Sequence, residues 1–490
     1  MPEKIKVLFA SSEVAPLAQT GGLAEVAGSL PPALSELGFQ CAVITPAYAQ
    51  TLKKGGWEDL GVSPAAGKGA YETPFRLLKT PLSGDVPAYL VRHDPYFNRE
   101  GLYELNKTDY PDNPSRFAFF SKAVLASLPH LEGGIPDVVV ANDWQTGLVM
   151  AYLKEAGPQA PKGLFVIHNL GFLGVAPAAF KAEVELPESY FAVSGLEYYG
   201  SLSFLKAGIV YSDALATVSP TYAKEIQTPE FGNGLDGLIR EHAYKLHGIL
   251  NGVDVVTWNP ETDPHLPAAY SPEDMSGKRI CKEKFLDYAG LPGGGDPPLF
   301  AMVSRLTTQK GVSLLIEAAE DVFNLGAKLA ILGTGDPWFQ DQLQALAGKH
   351  PKDMWLKLDY NVPLAHQIIA ASDFMLVPSM YEPCGLTQLF AFRYGSIPVV
   401  RATGGLNDTV RDFAGKNPEG RWDSGFKFAA FNHNALFRAV RRAAELYRRR
   451  EDFLRMRRNN MLEDFSWKTS AFSYSSLVQS LAAEKAAERT

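Results

Sequence analysis

Cysteine is scarce in this sequence: three in 490 residues, Cys41, Cys281 and Cys384, far apart and with no Cys-x-x-Cys pair. That argues against a disulfide framework or a structural zinc site and fits a reducing cytoplasm. No apolar run approaches the ~20 residues needed to cross a bilayer, and the opening stretch 5–10 is too short for a secretory leader. Excess positive charge is also missing: 47 Lys and Arg stand against 54 Asp and Glu, a formal net charge of −7. The chain therefore has no global attraction for nucleic acid or an anionic membrane, and a phosphorylated ligand needs a local basic site. Nine histidines are scattered with no His-Glu-x-x-His spacing, so no metal site is expected. A Gly-x-x-x-x-Gly-Lys-Ser/Thr loop, a Gly-x-Gly-x-x-Gly opening of either half and a Gly-x-Ser-x-Gly elbow are absent too. Their absence removes the commonest nucleotide-binding and hydrolase readings.

What is present is a repetition. Thr-Gly-Gly-Leu occurs at residues 20–23 and again at 403–406, each followed by an acidic residue, Glu25 or Asp408. The copies follow the apolar stretches 5–10 and 397–400, where a loop should open a helix. A glycine pair at such a junction lets backbone approach a ligand and aims free N–H groups and the positive helix end at an anion. One copy alone makes only a turn. Two copies predict two similar α/β halves facing one phosphorylated ligand.

Length suits two domains of roughly 200–250 residues each. In the first half, strands are expected at 5–10, 40–45, 88–92, 137–141 and 164–168. Helices are expected at 23–37, kinked or divided by Pro31-Pro32, at 115–128 and around 147–156. Residues 48–87 read as an elaborated loop region. The turn at 248–254 and the proline-rich stretch 259–267 mark the boundary. We expect domains at 1–249 and 250–467, with a C-terminal helix 468–490 packing back on the first. The second half repeats the alternation, with strands at 299–303, 328–332, 354–358, 374–377 and 397–400 and a helix at 312–324. The basic run 441–450 reads as the solvated face of a late helix whose apolar positions are Ala439, Leu446 and Leu454. The fold class is α/β, two doubly wound Rossmann-like domains.

Ligands of open parallel sheets sit beyond the carboxyl ends of the strands. After 299–303 come Arg305 and Lys310, placed to clamp a diphosphate, the first as a fork and the second as a point charge. After 374–377 comes Glu382-Pro-Cys-Gly-Leu386, a carboxylate suited to sugar hydroxyls beside a helix start. After 397–400 comes the second Thr403-Gly-Gly-Leu406. Asp143 and His168 stand at strand ends in the first half.

These residues resemble bacterial glycogen synthases and plant starch synthases, retaining glucosyltransferases of the GT-B fold, in which two Rossmann-like domains face across a cleft. The match runs nearly the whole length. Its most specific strings are Glu382-Pro-Cys-Gly-Leu-Thr-Gln-Leu389 and Asn259-Pro-Glu-Thr-Asp-Pro-His265. The resemblance implies transfer of glucose from ADP-glucose to an α-1,4-glucan, with no metal or other cofactor. Arg305 and Lys310 would stabilise the departing ADP, and the backbone of Gly404, Gly405 and Leu406 would meet the phosphates. Tyr360 would stack on adenine. Glu382 would hold the donor glucose, His168 would contact the same sugar, and Asp143 matches an acidic cleft position. Gln19, Gly21, Gly22, Glu25, Asn169, Asn251, Cys384, Gly385, Leu386 and Thr403 fall at substrate-binding positions. The chain departs from the family at Gln19 (normally lysine), at Asn142-Asp-Trp-Gln145 (normally His-Asp-Trp-His) and at Gly171-Phe-Leu-Gly174 (normally Ala-Tyr-Gln-Gly). All three departures lie in the first half, which opens altered specificity or a weakened, glucan-binding relative as alternatives.

Overall fold

The computed structural model describes residues 4–106, 108–413 and 423–488. The chain divides into two units, Met1–Gly252 with Trp467–Thr490, and Val253–Ser466.

Unit 1 is built on a 9-stranded sheet. In chain order its strands are β1 (Lys6–Ala10), β2 (Gln40–Pro46), β3 (Glu58–Asp59), β4 (Arg76–Pro81), β5 (Pro87–Arg92), β6 (Val138–Asn142), β7 (Lys162–Ile167), β8 (Ala214–Thr217) and β9 (Leu246–Gly248). Across the sheet the order is β9-β8-β7-β6-β1-β2-β5-β4-β3. From β9 to β5 the pairing is parallel, in register through pairs such as Phe9↔Val140 and Val140↔Leu164. Val138, Val139 and Val140 are buried on both faces, as a strand covered by helices on each side requires.

Two expectations need correction here. Residues 48–87 are not merely a loop: they hold a helix, Ala49–Lys54, the strand β4, which pairs antiparallel with β5, and the two-residue edge strand β3, which pairs with β4. Pro31-Pro32 does not divide its helix either; α1 runs unbroken from Gly22 to Glu36. Leu30, Pro31 and Leu34 are buried there, and packing of that face outweighs the ~3 kcal/mol typical of an interior proline. The last helix, α2 (Trp467–Glu488), adds Trp467, Ala471, Tyr474, Val478 and Leu481 to the core of unit 1. Residues 489–490 of the expected segment lie outside the described residues.

Unit 2 carries a 6-stranded, all-parallel sheet. Its strands are β10 (Leu299–Val303), β11 (Lys328–Leu332), β12 (Met354–Lys357), β13 (Phe374–Val377), β14 (Ile397–Arg401) and β15 (Phe426–Phe428), ordered β12-β11-β10-β13-β14-β15. The chain lays down β10 to β12 in one direction, then returns to β10 and continues the other way. That reversal opens a crevice beyond the ends of β10 and β13. In unit 1 the equivalent reversal falls between β1 and β6. The basic run spans two helices, His433–Arg448 and Arg450–Met461. Ala439 and Leu446 are buried as expected, but Leu454 faces solvent. Among the described residues no helix is long and apolar enough to cross a membrane.

Candidate active site

The switch-point crevice of unit 2 is lined by Met302, Ser304, Lys310, Val377, Ser379 and Glu382. Glu382 is buried, yet one charged and one polar partner meet it: its Oε2 accepts from Lys310 Nζ at 2.6 Å and from Ser379 Oγ at 2.8 Å. A carboxylate can be kept in such a place because a cation and a hydroxyl replace water. Both bonds fall on Oε2, so among the described residues Oε1 is the atom open to a ligand. Arg305, five residues before Lys310, is exposed and has no carboxylate partner among the described residues. Lys310 thus lines the crevice and is engaged, while Arg305 stands in the loop directly after the lining residue Ser304.

The second Thr-Gly-Gly-Leu works differently from expectation. The Gly405 N–H does not point to an open anion site; it donates to the carbonyls of Glu382 (3.3 Å) and Pro383 (3.1 Å). A Cβ on Gly404 would stand 1.9 Å from the Glu382 carbonyl oxygen, and one on Gly405 would stand 2.1 Å from that of Cys384. The glycines are needed because the loop bearing Glu382 lies directly on this turn. Thr403 and Leu406 are buried beside it. Cys384 is buried and is not part of a disulfide. Gln388 donates to the carbonyls of Cys384 and Gly385, at 3.1 and 2.9 Å, and Leu386 precedes the helix Thr387–Arg393. Tyr360, just past β12, is 73% exposed.

In unit 1 the strand ends carry a bonded set. Asp143, after β6, has φ 57° and ψ −178°, a conformation costly for any residue but glycine and kept only where surroundings enforce it. Its Oδ1 accepts the amides of His168 (2.7 Å) and Asn169 (3.2 Å), joining the ends of β6 and β7. Burial nevertheless pushes the Asp143 carboxyl up to about 7. His168 is buried, and loss of hydration pushes its imidazole down to about 3. It is neutral at physiological pH. Asn142 gives its amide N–H to the Ala10 carbonyl (3.0 Å), which leaves its oxygen 2.9 Å from His168 Nε2. Nε2 therefore carries the proton, and Nδ1 remains an acceptor. Asn169 turns its own loop by accepting from Gly171 N at 2.9 Å. The side-chain oxygen of Asn251 is buried with no partner among the described residues, as a group awaiting a ligand would be.

The first Thr-Gly-Gly-Leu also departs from the anion-site expectation. Glu13 already occupies it: its carboxylate accepts from Thr20 N (2.5 Å), Thr20 Oγ1 (2.7 Å) and Gly21 N (3.1 Å). Tyr103 donates to the same carboxylate at 2.8 Å. Gly22 opens α1, and Gln19 Nε2 donates to Glu25 Oε1 at 3.0 Å. Sequence reasoning passed over Glu13 and Ser379. The strand-end rule that found Asp143 would have found both, since they follow β1 and β13 within three residues.

Among the described residues no group of three or more His, Cys, Asp or Glu is placed to hold a metal ion. Residues 6–241 match the starch synthase catalytic domain family, and residues 290–459 match glycosyl transferases group 1. The chain is 44% identical to a glycogen synthase of Syntrophotalea carbinolica, over 97% of this chain and 98% of that one. It is also 44% identical to a glycogen synthase of Myxococcus xanthus, over 98% of this chain and 100% of the other. A solved structure, the catalytic domain of starch synthase IV from Arabidopsis thaliana bound to ADP and acarbose, superposes with a TM-score of 0.90 at 30% identity, covering 98% of this chain and 100% of that one.

Proposed function

The chain belongs to the glycogen and starch synthase family of glucosyltransferases, and from that premise we propose that it moves glucose from ADP-glucose to the non-reducing end of an α-1,4-glucan with retention. The observation that carries the donor half of this reading is the crevice of unit 2, where buried Glu382 shares Lys310 with whatever enters and Arg305 stands free. On departure of ADP, negative charge builds on the diphosphate. Arg305 and Lys310 would neutralise it with fixed charge, so no metal ion is called for. Glu382 would hold sugar hydroxyls through Oε1, and Tyr360 would stack on the base. In unit 1, His168 would meet the sugar as a neutral imidazole with Nδ1 as acceptor, and Asp143 would offer a carboxyl poised near neutrality. The bound ligands of the Arabidopsis relative, a nucleoside diphosphate and an oligosaccharide analogue, fit this division of labour.

A second reading, a relative with another donor, is favoured by one observation: Gln19, at the usual lysine position, spends its amide on Glu25. One assay separates the two. The protein is incubated with glycogen and either ADP-glucose or UDP-glucose, and nucleotide release and chain growth are followed. Turnover with ADP-glucose supports the first reading, and turnover confined to UDP-glucose supports the second. Glucan binding without turnover on either donor would remove both.

A further inference from the structure

The loop that follows β11 lies between the free cation and the exposed tyrosine just described. Sheet order is β12-β11-β10, and Arg305 follows β10 while Tyr360 follows β12. Hydrogen bonds fix this middle loop on both sides. Toward β10, Leu306 N donates to the Thr334 carbonyl and Asp336 N to the Leu306 carbonyl, each at 2.9 Å. Toward β12, Gly333 N donates to the Lys357 carbonyl at 3.1 Å, three residues before Tyr360. The approach is so close that a Cβ on Gly333 would stand 1.9 Å from the Ser304 carbonyl oxygen. The loop is thus a rigid floor running from the diphosphate cation to the base-stacking residue. At its end the Asp336 side chain caps the next helix, Pro337–Lys349, by accepting Trp338 N at 2.8 Å.

Trp338 itself is 59% exposed. Its neighbour Phe339 enters the core, touching the indole edge-on at 5.1 Å between centroids, so packing is satisfied by Phe339 rather than by Trp338. A large indole left in water at the carboxyl edge of a sheet, one strand away from a second exposed aromatic, has the character of a binding group. We propose that Trp338 is a second aromatic contact for the purine end of the nucleotide and helps set preference for a purine over a pyrimidine donor. The argument is area: a bicyclic base covers more of an aromatic surface than a monocyclic one, so a second ring favours adenine over uracil. This rests on the reading of unit 2 as the nucleotide-sugar unit.

The test is calorimetric titration of the full chain with ADP, alongside steady-state kinetics with ADP-glucose and UDP-glucose. Trp338→Ala should weaken ADP binding and raise KM for ADP-glucose by about tenfold, the size of one base–aromatic stack, with kcat held. The ADP-glucose to UDP-glucose preference should narrow by a smaller factor, since uracil loses part of the same stack. Trp338→Phe should recover most of the affinity, yet lose the ADP-dependent quenching of indole emission expected of the unaltered protein. If the unaltered protein binds ADP and Trp338→Ala binds it equally well, with donor preference unchanged, the assignment is wrong while the proposed function stands. If the unaltered protein binds no ADP, the proposed function falls and takes this contact with it. Trp338 is surface-placed, so its variants should melt with the parent; a large drop in melting temperature would show a packing role and overturn the proposal.

Discussion

The two units carry similar sheets but prepare their strand ends in opposite ways. In unit 1 most of the polar groups at the strand ends are spent on one another, the buried Asn251 side-chain oxygen being an exception among the described residues. Glu13 fills the amides of Thr20 and Gly21, Asp143 takes those of His168 and Asn169, and Asn142 holds the His168 ring. In unit 2 the corresponding rim is open: Arg305 is free, Tyr360 and Trp338 stand in solvent, and Glu382 keeps one oxygen available. Unit 1 offers a hydrogen-bonded, locked surface, which suits a sugar polymer recognised by directed hydrogen bonds. Unit 2 offers charge and aromatic faces, which suit a nucleoside diphosphate. The same topology thus serves two chemistries because the loops after the strands differ, while the sheets only position them.

If this contrast is right, the largest effect comes from the point where unit 2 concentrates charge. Glu382→Ala should lower kcat by about a hundredfold to a thousandfold with a much smaller loss of stability, set by Lys310 losing its partner. Comparable losses of turnover and stability would return Glu382 to a structural role. Arg305→Ala should cost roughly tenfold to a hundredfold in kcat/KM for ADP-glucose, the loss of one charge-assisted contact, and nothing in stability because the side chain supports no neighbour. A destabilised Arg305 variant would show that the rim of unit 2 is bonded after all.

The locked side of the comparison is tested through pH. The imidazole of His168 titrates near 3 when folded, against an ordinary 6.5. The unfolded chain therefore takes up the proton first. Its contribution to stability is present above about pH 6.5 and is lost as pH falls toward 3, at up to about 1.4 kcal/mol per pH unit. Asp143 opposes it: with its carboxyl raised to about 7, it favours the folded state at low pH, and that contribution is lost as pH rises from about 4 to 7. His168→Gln should accordingly flatten the acid side of a melting-temperature profile, and an unchanged profile would mean that the ring takes up its proton as readily in the folded as in the unfolded protein. The smallest effect expected is at the first Thr-Gly-Gly-Leu. Gln19→Lys should raise turnover with ADP-glucose by a few-fold, about 1 kcal/mol; no change, or a loss, would show that the site has been rebuilt around the glutamine–Glu25 pair.

Much of this was legible in the residues. The buried strands of both sheets announce themselves as unbroken apolar runs, and the helix Val312–Asn324 is found to the residue because its apolar face recurs at helical spacing. Strands toward the sheet margins were not legible: β4 is six residues ending in proline, β8 is Ala-Leu-Ala-Thr, and β15 is three residues long. Such segments take their conformation from the neighbours they pair with rather than from their own pattern. The strand-end rule pointed to Arg305 and Glu382 in unit 2 and to Asp143 and His168 in unit 1, and each follows a strand of its sheet. What composition could not convey is which amides are already engaged. The Thr-Gly-Gly-Leu copies look alike in sequence, yet one is filled by a carboxylate seven residues upstream and the other by carbonyls about twenty residues upstream.

The long helix α2 has a bearing on how the protein is made. It belongs to unit 1 although unit 2 precedes it in the chain, so it seats Trp467, Tyr474 and Val478 against strands synthesised several hundred residues earlier. On the ribosome, unit 2 can close on itself while unit 1 waits with an unfilled apolar seam. The first-born half is the last to be finished, and a nascent chain stalled before α2 would expose that seam to chaperones or to its neighbours.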